Sequence, residues 1–405
     1  MKKIQLHWQI LIALVLAIFF GIYMKDYVGY VSWMGDVFLR ALKMIIIPLI
    51  LSSIISGVTN IGNAENIGRL GLKTMLYYLT TSMFAILTGL VLVNIFKPGV
   101  GADLNLGQEV DLEVGSASLG QTLIEIIPDN IFTSFSSNGQ MLSVIFFAML
   151  FGFFITQVSD KPKHMLTDFF NAIFDVMMKL TMFIIKFTPL GIFGLVAEKV
   201  AQQDDLLALM QSMGLYMGVV IMALTIHSLI TLPLIARFVG KINPLKQFKA
   251  MRTPLITAFS TSSSSATLPL TMQAVEDNSG VSNKISSFTL PLGATINMDG
   301  TALYECVAVI FIAQAYGFDL SIIQQIIVVV TALLASIGAA GIPMAGLVMI
   351  TIILTAVGLP LEGVGLILAV DRILDMFRTT VNVWSDSNGA AIIATSEGED
   401  LKVKA

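Results

Sequence analysis

Asp371, Asp375, Arg378, Asn382 and Asp386 follow one another at steps of four, three, four and four, so on a helix they form a single polar stripe. Arg378 in such a row can hold a carboxylate in a bidentate fork, and Asp375, one turn earlier, can bind an ammonium. A ligand with an amine and two carboxylates satisfies both. Asn382 and Asp386 add hard oxygens of the kind a small cation needs. The row follows an apolar run at 364–370, and in a membrane each charge at mid-depth costs about 2.5–3.5 kcal/mol. Such a cost implies a use.

Three further polar elements interrupt apolar sequence in the same half of the chain. T-A-F-S-T-S-S-S-S-A-T-L-P-L-T begins at Thr257, Asn297-Met298-Asp299-Gly300-Thr301 breaks a long run, and S-I-G-A-A-G-I-P-M-A-G begins at Ser336. Unwound backbone at such places exposes N–H groups and carbonyls, and a half-helix beginning near Ser265 would aim its positive end at an anion. Asp299, with carbonyls and the amide oxygens of Asn297 and Asn382, suits a cation, sodium being the natural one. Singly, each element has a plainer reading: a flexible serine loop, an ordinary Asp-Gly turn, close helix packing at the glycines, a structural Arg378–Asp375 pair. Together, within apolar spans, they point to one site. Glu305, four residues after Thr301, faces roughly the same side. It is either a proton carrier or a glutamate lining a wet cavity.

The elements that position these residues follow from composition. The 405 residues are 56% hydrophobic and 12% charged, against about 25% charged in soluble domains. The chain is expected to be an all-α integral membrane protein, since a barrel would show short alternating segments. One cysteine, Cys306, excludes an intramolecular disulfide, and His7, His164 and His227 are too scattered for a metal set. Spans are expected at about 8–24, 37–58, 74–96, 123–158, 169–197 and 206–239, the fourth fragmented and the third carrying Tyr77, Tyr78, Thr80, Thr81 and Ser82. Lys2 and Lys3, Arg69 and Lys73, Lys161 and Lys163, and the basic cluster from Arg237 to Arg252 mark the cytoplasmic side. The acidic connection 98–119 reads as external.

After residue 252 the pattern changes. The halves of the serine segment are too short to cross about 30 Å of hydrocarbon, so a re-entrant hairpin is expected. A polar-interrupted seventh span at 286–315, a second hairpin at 320–357 and an eighth span at 363–395 follow. Hairpin and interrupted span thus occur twice, entering from opposite sides. Inverted repeats with a midplane site are the architecture of secondary transporters.

At these motifs, S-S-S-S-A-T-L-P from Ser262, L-P-L-G-A-T-I-N-M-D-G-T-A-L-Y-E from Leu290, S-I-G-A-A-G-I-P from Ser336 and D-M-F-R-T-T-V-N-V from Asp375, the chain closely resembles the glutamate/aspartate transporter family of dicarboxylate/amino acid:cation symporters. The resemblance implies eight transmembrane helices plus two re-entrant hairpins in an elevator-type homotrimer. Residues 1–70 and 99–200 would form its scaffold, 71–98 and 201–396 its transport domain, and 397–405 a cytoplasmic tail. It implies that Arg378 binds the substrate's side-chain carboxylate with Thr301 assisting, that Asp375 takes the amino group, and that Asn382 with Ser264 takes the α-carboxylate. Ser263, Thr379, Gly341 and Gly346 complete the implied pocket, with the second hairpin as extracellular gate. One implied sodium lies with Gly293, Asn297, Asn382 and Asp386, and a second with Thr295, Ser336, Ile337 and Ala339. A third lies with Tyr78, Thr81, Ser82, Asn297 and Asp299. Archaeal members carry an arginine where this chain has Ser262, and eukaryotic carriers one where it has Met376; with neither, potassium counter-transport stays open. Glu305 matches the glutamate that resembles the proton carrier of the eukaryotic branch.

The implied function is sodium-coupled uptake of aspartate or glutamate at the cell inner membrane, with both termini cytoplasmic and membrane lipid around the chain. A C4-dicarboxylate or neutral amino-acid carrier is the alternative, against which Asp375 and Arg378 respectively argue. A channel is the reading from another class, because hard oxygens also line pores. An intramembrane hydrolase lacks G-x-S-x-G, and only His227 lies near enough to serve as base. The chain is therefore not expected to be an enzyme or to bind nucleic acid.

Overall fold

A dry apolar run must pair its backbone within itself, which leaves the helix as its conformation. The computed structural model describes residues 6–62, 68–102, 127–136, 141–202, 206–338 and 345–404, and the described residues form helices with no strand. The first half contains α1 (Leu6–Tyr23), α2 (Ser32–Gly62), α3 (Gly68–Phe96), α4 (Ile131–Ser136), α5 (Met141–Gln157), α6 (Asp160–Ile185) and α7 (Thr188–Gln202). The second contains α8 (Leu206–Ile226), α9 (Leu232–Phe238), α10 (Pro244–Ala250), α11 (Arg252–Thr261), α12 (Ser264–Ala274), α13 (Asn283–Ile296), α14 (Asp299–Ala315), α15 (Ile322–Gly338), α16 (Ala345–Ala356) and α17 (Val364–Ser396).

Among the described residues, four helical stretches are long and apolar enough to cross a membrane: Ser32–Thr59, Arg69–Phe96, Leu207–Phe238 and Asn283–Ala315. The expected fifth span is the pair α6 and α7, bent by 53° where Pro189 opens the second helix. α17 is 33 residues long and continuous; its charged and uncharged polar residues, rather than its length, keep it out of that class. The breaks expected at 297–301 and in the serine segment are present. Asn297 and Met298 leave helical geometry between α13 and α14, and Ser262 takes a left-handed conformation, φ 52°, between α11 and α12. The tip of the second hairpin, the acidic connection and the turn expected at 136–139 lie largely outside the described residues. One break was not expected: a π-helical turn, His227–Thr231, joins α8 to α9. Pro233 brings no N–H to the ladder there, so the helix re-registers around it.

Packing sorts the helices. α1 lies on α7, and α2 on α5, α6 and α7; α3 lies along α14 and α8. The helices expected to form the hairpins pack in pairs, α11 with α12 and α15 with α16, and α17 is flanked by α8, α11, α13 and α14. At Gly300 the α14 and α17 backbones nearly touch: a Cβ there would fall 2.4 Å from the carbonyl oxygen and 2.8 Å from Cα of Arg378. Because those atoms are backbone, they cannot rotate away. Gly300→Ala is expected to lower stability by about 1–3 kcal/mol, read as earlier thermal unfolding in detergent. Wild-type stability would show that the two helices can separate freely.

The chain's last residues are docked rather than trailing. Leu401 and Val403 are buried, Lys402 N–H donates to the Ser279 carbonyl and Asn243 N–H to that of Val403, and Ser282 donates through N–H and hydroxyl to Glu399. Glu397 joins the start of α3 to the end of α17 through Lys73 (2.6 Å) and Arg69 (2.5 Å). Hydrogen bonds from those two cations hold the Glu397 carboxyl below the usual carboxylate range, so acidification loosens this clamp.

Candidate functional site

Arg378 projects from α17 into the protein and is 1% exposed. Its Nε donates to Asp375 Oδ1 (2.9 Å), the ring of Tyr304 lies 4.1 Å beneath its Cζ, and Asp371 Oδ1 is 2.9 Å from Nη1. Tyr304 in turn donates to Asp371 (2.7 Å). Nη1 and Nη2 make no aligned hydrogen bond among the described residues. Nε is therefore anchored on Asp375 and Nη1 is ion-paired with Asp371, while Nη2 has no partner among the described residues and can donate, with the remaining Nη1 proton, to a carboxylate. Gly346, at the start of α16, stands over it: a Cβ there would lie 3.0 Å from Nη1. Of the substrate set, Arg378, Asp375 and Gly346 are thus together. Asp375 contacts Arg378 directly, so it reaches an incoming ammonium only as part of that pair.

Thr301 begins α14 one turn away, and Asn382 Nδ2 donates to its hydroxyl (3.1 Å). Asn382 Oδ1 accepts from Gly300 N–H (2.7 Å). This oxygen, expected to serve a cation beside Asp386, accepts from an orphan N–H of the broken span. Thr379 is buried, as are Ser263 and Ser264. Ser263 caps α12, accepting from Ala266 N–H (3.2 Å), so the expected half-helix begins at the serine tip. Gly341 lies outside the described residues.

A second cluster is built around Asp299, fully buried. Ser82 (2.6 Å) and Thr81 (3.2 Å) from α3 donate to Oδ1; Ser385 donates to Oδ2 (2.6 Å), and His227 Nε2 is 3.1 Å from the same oxygen. Asn297 Oδ1 lies 3.4 Å from Thr81, which completes four hard oxygens from α3 and the broken span. A cation entering there would turn the two hydroxyls so that lone pairs replace their protons. Asn297 Nδ2 bridges onward to Asp386 Oδ1 (2.8 Å) and Ser385 (3.0 Å). Asp386 lies against Gly293, where a Cβ would be 2.5 Å from its Oδ1 and 2.7 Å from the Tyr78 hydroxyl. Tyr78 itself donates to the Thr289 carbonyl (2.7 Å). Gly293, Asn297, Asp386 and Tyr78 thus adjoin one another.

The remaining cation set is not drawn together by side chains. Thr295 is exposed, and the hydroxyls of Thr295 and Ser336 bond only carbonyls of their own helices among the described residues. Ile337 could contribute only its backbone here, and Ala339 lies outside the described residues. Glu305 is fully buried on α14 and neither carboxylate oxygen has a partner among the described residues. Sequence reasoning missed Ser385 and Tyr304 and gave His227 no place in the site. Ser385 precedes Asp386, and Tyr304 lies one turn after Thr301; polar groups so placed in apolar helices were the available signal.

A membrane-embedded helical protein whose buried charges meet at a discontinuous span and a hairpin tip has the build of a secondary transporter. The chain belongs to the sodium:dicarboxylate symporter family, whose model matches residues 6–396. It is 38% identical to "Excitatory amino acid transporter 3" of Mus musculus over 98% of this chain and 87% of that one. It is also 38% identical to the "Proton/sodium-glutamate symport protein" of Geobacillus stearothermophilus, over 98% and 96%. Against the "Proton/glutamate-aspartate symporter" of Escherichia coli K12 the identity is 35%, over 100% and 95%. Family and relatives are transporters and not enzymes, which sets aside the hydrolase reading.

Proposed function

We propose that this chain is a sodium-coupled symporter for aspartate or glutamate. The observation that carries the proposal is the buried guanidinium of Arg378, held by Asp375 at Nε and Asp371 at Nη1 with Nη2 unpartnered among the described residues, and neighboured through Asn382 and Thr301 by a cluster of hard oxygens at Asp299. Arg378 takes the side-chain carboxylate, Asp375 the ammonium, and Ser264, Thr301 and Asn382 the α-carboxylate and its approach. Sodium lies with Asp299, Thr81, Ser82 and Asn297, and with Asp386, Gly293 and Asn297. Thr295, Ser336, Ile337 and Ala339 hold another through carbonyls. Gly300 N–H on Asn382 ties the two regions, so a cation that draws Asp299 inward also sets the amide that meets the substrate.

Residues 71–98 and 201–396 move together as the transport domain against 1–70 and 99–200, in a homotrimer at the inner membrane with both termini cytoplasmic. The pairing of α3 with α14 and α8, and of α1 and α2 with α7, supports that division. Proteoliposomes with a sodium-free lumen, diluted into sodium buffer, test the whole reading. An inward sodium gradient is expected to drive saturable aspartate accumulation, competed by glutamate and weakly by succinate or serine. Accumulation indifferent to sodium, or driven equally by succinate, would overturn it.

Proton co-transport belongs to Glu305. Ionised and unpaired in this packing it would carry a penalty of several kcal/mol, whereas a carboxyl holding a proton does not. Sodium-driven uptake is expected to acidify the vesicle lumen, and Glu305→Gln to transport without acidification. An unchanged pH dependence in the variant would rule the role out.

A further inference from the structure

A cavity of about 790 Å³ opens on the flank of α8 and α9, away from the site described above. Its walls include Leu224, Thr225 and Leu229 around the π-helical turn, Leu245 and Phe248 of α10, Leu255 and Phe259 of the first hairpin, and Phe377, Val381 and Trp384 of α17. The polar groups in these walls are already used. Thr225 donates to Ile221, Ser228 to Thr225, and Thr380 to Met376, while Trp384 Nε1 donates to the Ser228 carbonyl. An internally satisfied wall of this size, about that of small-molecule sites, selects an apolar occupant.

One charged residue lines it. Arg237, exposed on the last turn of α9, makes no hydrogen bond or ion pair among the described residues. Around the mouth, Leu229, Leu234, Phe238 and Leu245 are also exposed, as expected of a surface that faces lipid. Arg237 belongs to the basic cluster that the positive-inside rule puts at the cytoplasmic face, where anionic headgroups lie and basic pockets between spans bind them. We propose that this cavity is a binding site for one anionic phospholipid, its phosphate on Arg237 and an acyl chain between α8, the first hairpin and α17. The chain's end meets the Phe259–Phe377 ring pair, whose centroids are 5.2 Å apart. Phe377 adjoins Arg378, so the lipid braces the hairpin against the helix that carries the substrate arginine. The inference does not depend on which substrate is carried.

The test counts retained lipid by native mass spectrometry on the purified full-length protein, relipidated with phosphatidylglycerol or with phosphatidylcholine of the same chains. Wild type is expected to keep one phosphatidylglycerol under activation that strips phosphatidylcholine. Arg237→Gln is expected to lower that retention about fivefold, the factor one basic residue contributes at an anionic surface. Thr225→Trp, which fills the chamber from an exposed wall position, is expected to lower it as well. Lys249→Gln, in the same basic cluster but outside the lining, keeps the wild-type level, and its retention and monodispersity report folding. Equal retention of the two lipids, or phosphatidylglycerol held at the wild-type level by either lining variant, would overturn the proposal.

Discussion

Arg378→Ala is expected to abolish sodium-dependent aspartate binding while leaving a chain that still folds less stably. Truncating one partner of a buried, hydrogen-bonded charge pair costs about 2–5 kcal/mol, which is about 30-fold to several thousand-fold in affinity. Here the loss acts twice. The two Nη donors that fork onto the ligand disappear, and Asp371 and Asp375, which lie 2.9 Å from the guanidinium, are left facing an anion with no cation between them. Arg378→Lys keeps the charge but not the fork, so its affinity should fall between the two. Because an orphaned buried carboxylate also costs stability, calorimetric titration with aspartate is paired with thermal unfolding. A folded Arg378→Ala protein that binds aspartate as tightly as wild type would remove the guanidinium from the site.

Asp299→Asn is the second large effect, and it falls on sodium rather than on the substrate's shape. Four side chains, Thr81, Ser82, Ser385 and His227, already meet the two carboxylate oxygens. An amide at that position presents N–H where at least one of them donates, and it removes the one full negative charge among these hard oxygens. Losing an outer partner of a metal ligand typically costs about 10–100-fold in affinity, and losing the charged ligand itself should exceed this. The sodium concentration for half-maximal aspartate binding is expected to rise by at least about 100-fold. Aspartate affinity at saturating sodium should recover most of its value, since binding free energies at the two sites are reciprocally linked. An unchanged sodium dependence would place the cation elsewhere.

The stripe on α17 illustrates how far spacing reads. The periodicity put Asp371, Asp375 and Arg378 on one face, and all three meet in the structure. Which carboxylate holds the guanidinium was a matter of rotamer: Nε reaches Asp375, and Asp371, left without a role by spacing, sits beside Nη1 and accepts from Tyr304. Asn382 belonged to the same face but spends its oxygen on Gly300 N–H. That bond exists only because the α13–α14 break leaves a free donor against α17.

By itself the sequence determined that the chain is helical and membrane-embedded, that it breaks at the serine segment and at 297–301, and which motifs carry the polar groups. Those properties follow from apolar run length, from proline, glycine and serine placement, and from charge, all of which act locally along the chain. Only the tertiary structure decided that α3 delivers Thr81 and Ser82 to Asp299, that His227 and Ser385 complete that cluster, and that residues 397–404 tie together the segments on either side of the first hairpin. The same holds for the π turn's cavity beside Phe377. These contacts join residues dozens to hundreds apart in sequence, and no period encodes them. They arise because breaking a buried helix frees N–H groups and carbonyls that must be satisfied by whichever helix packs alongside.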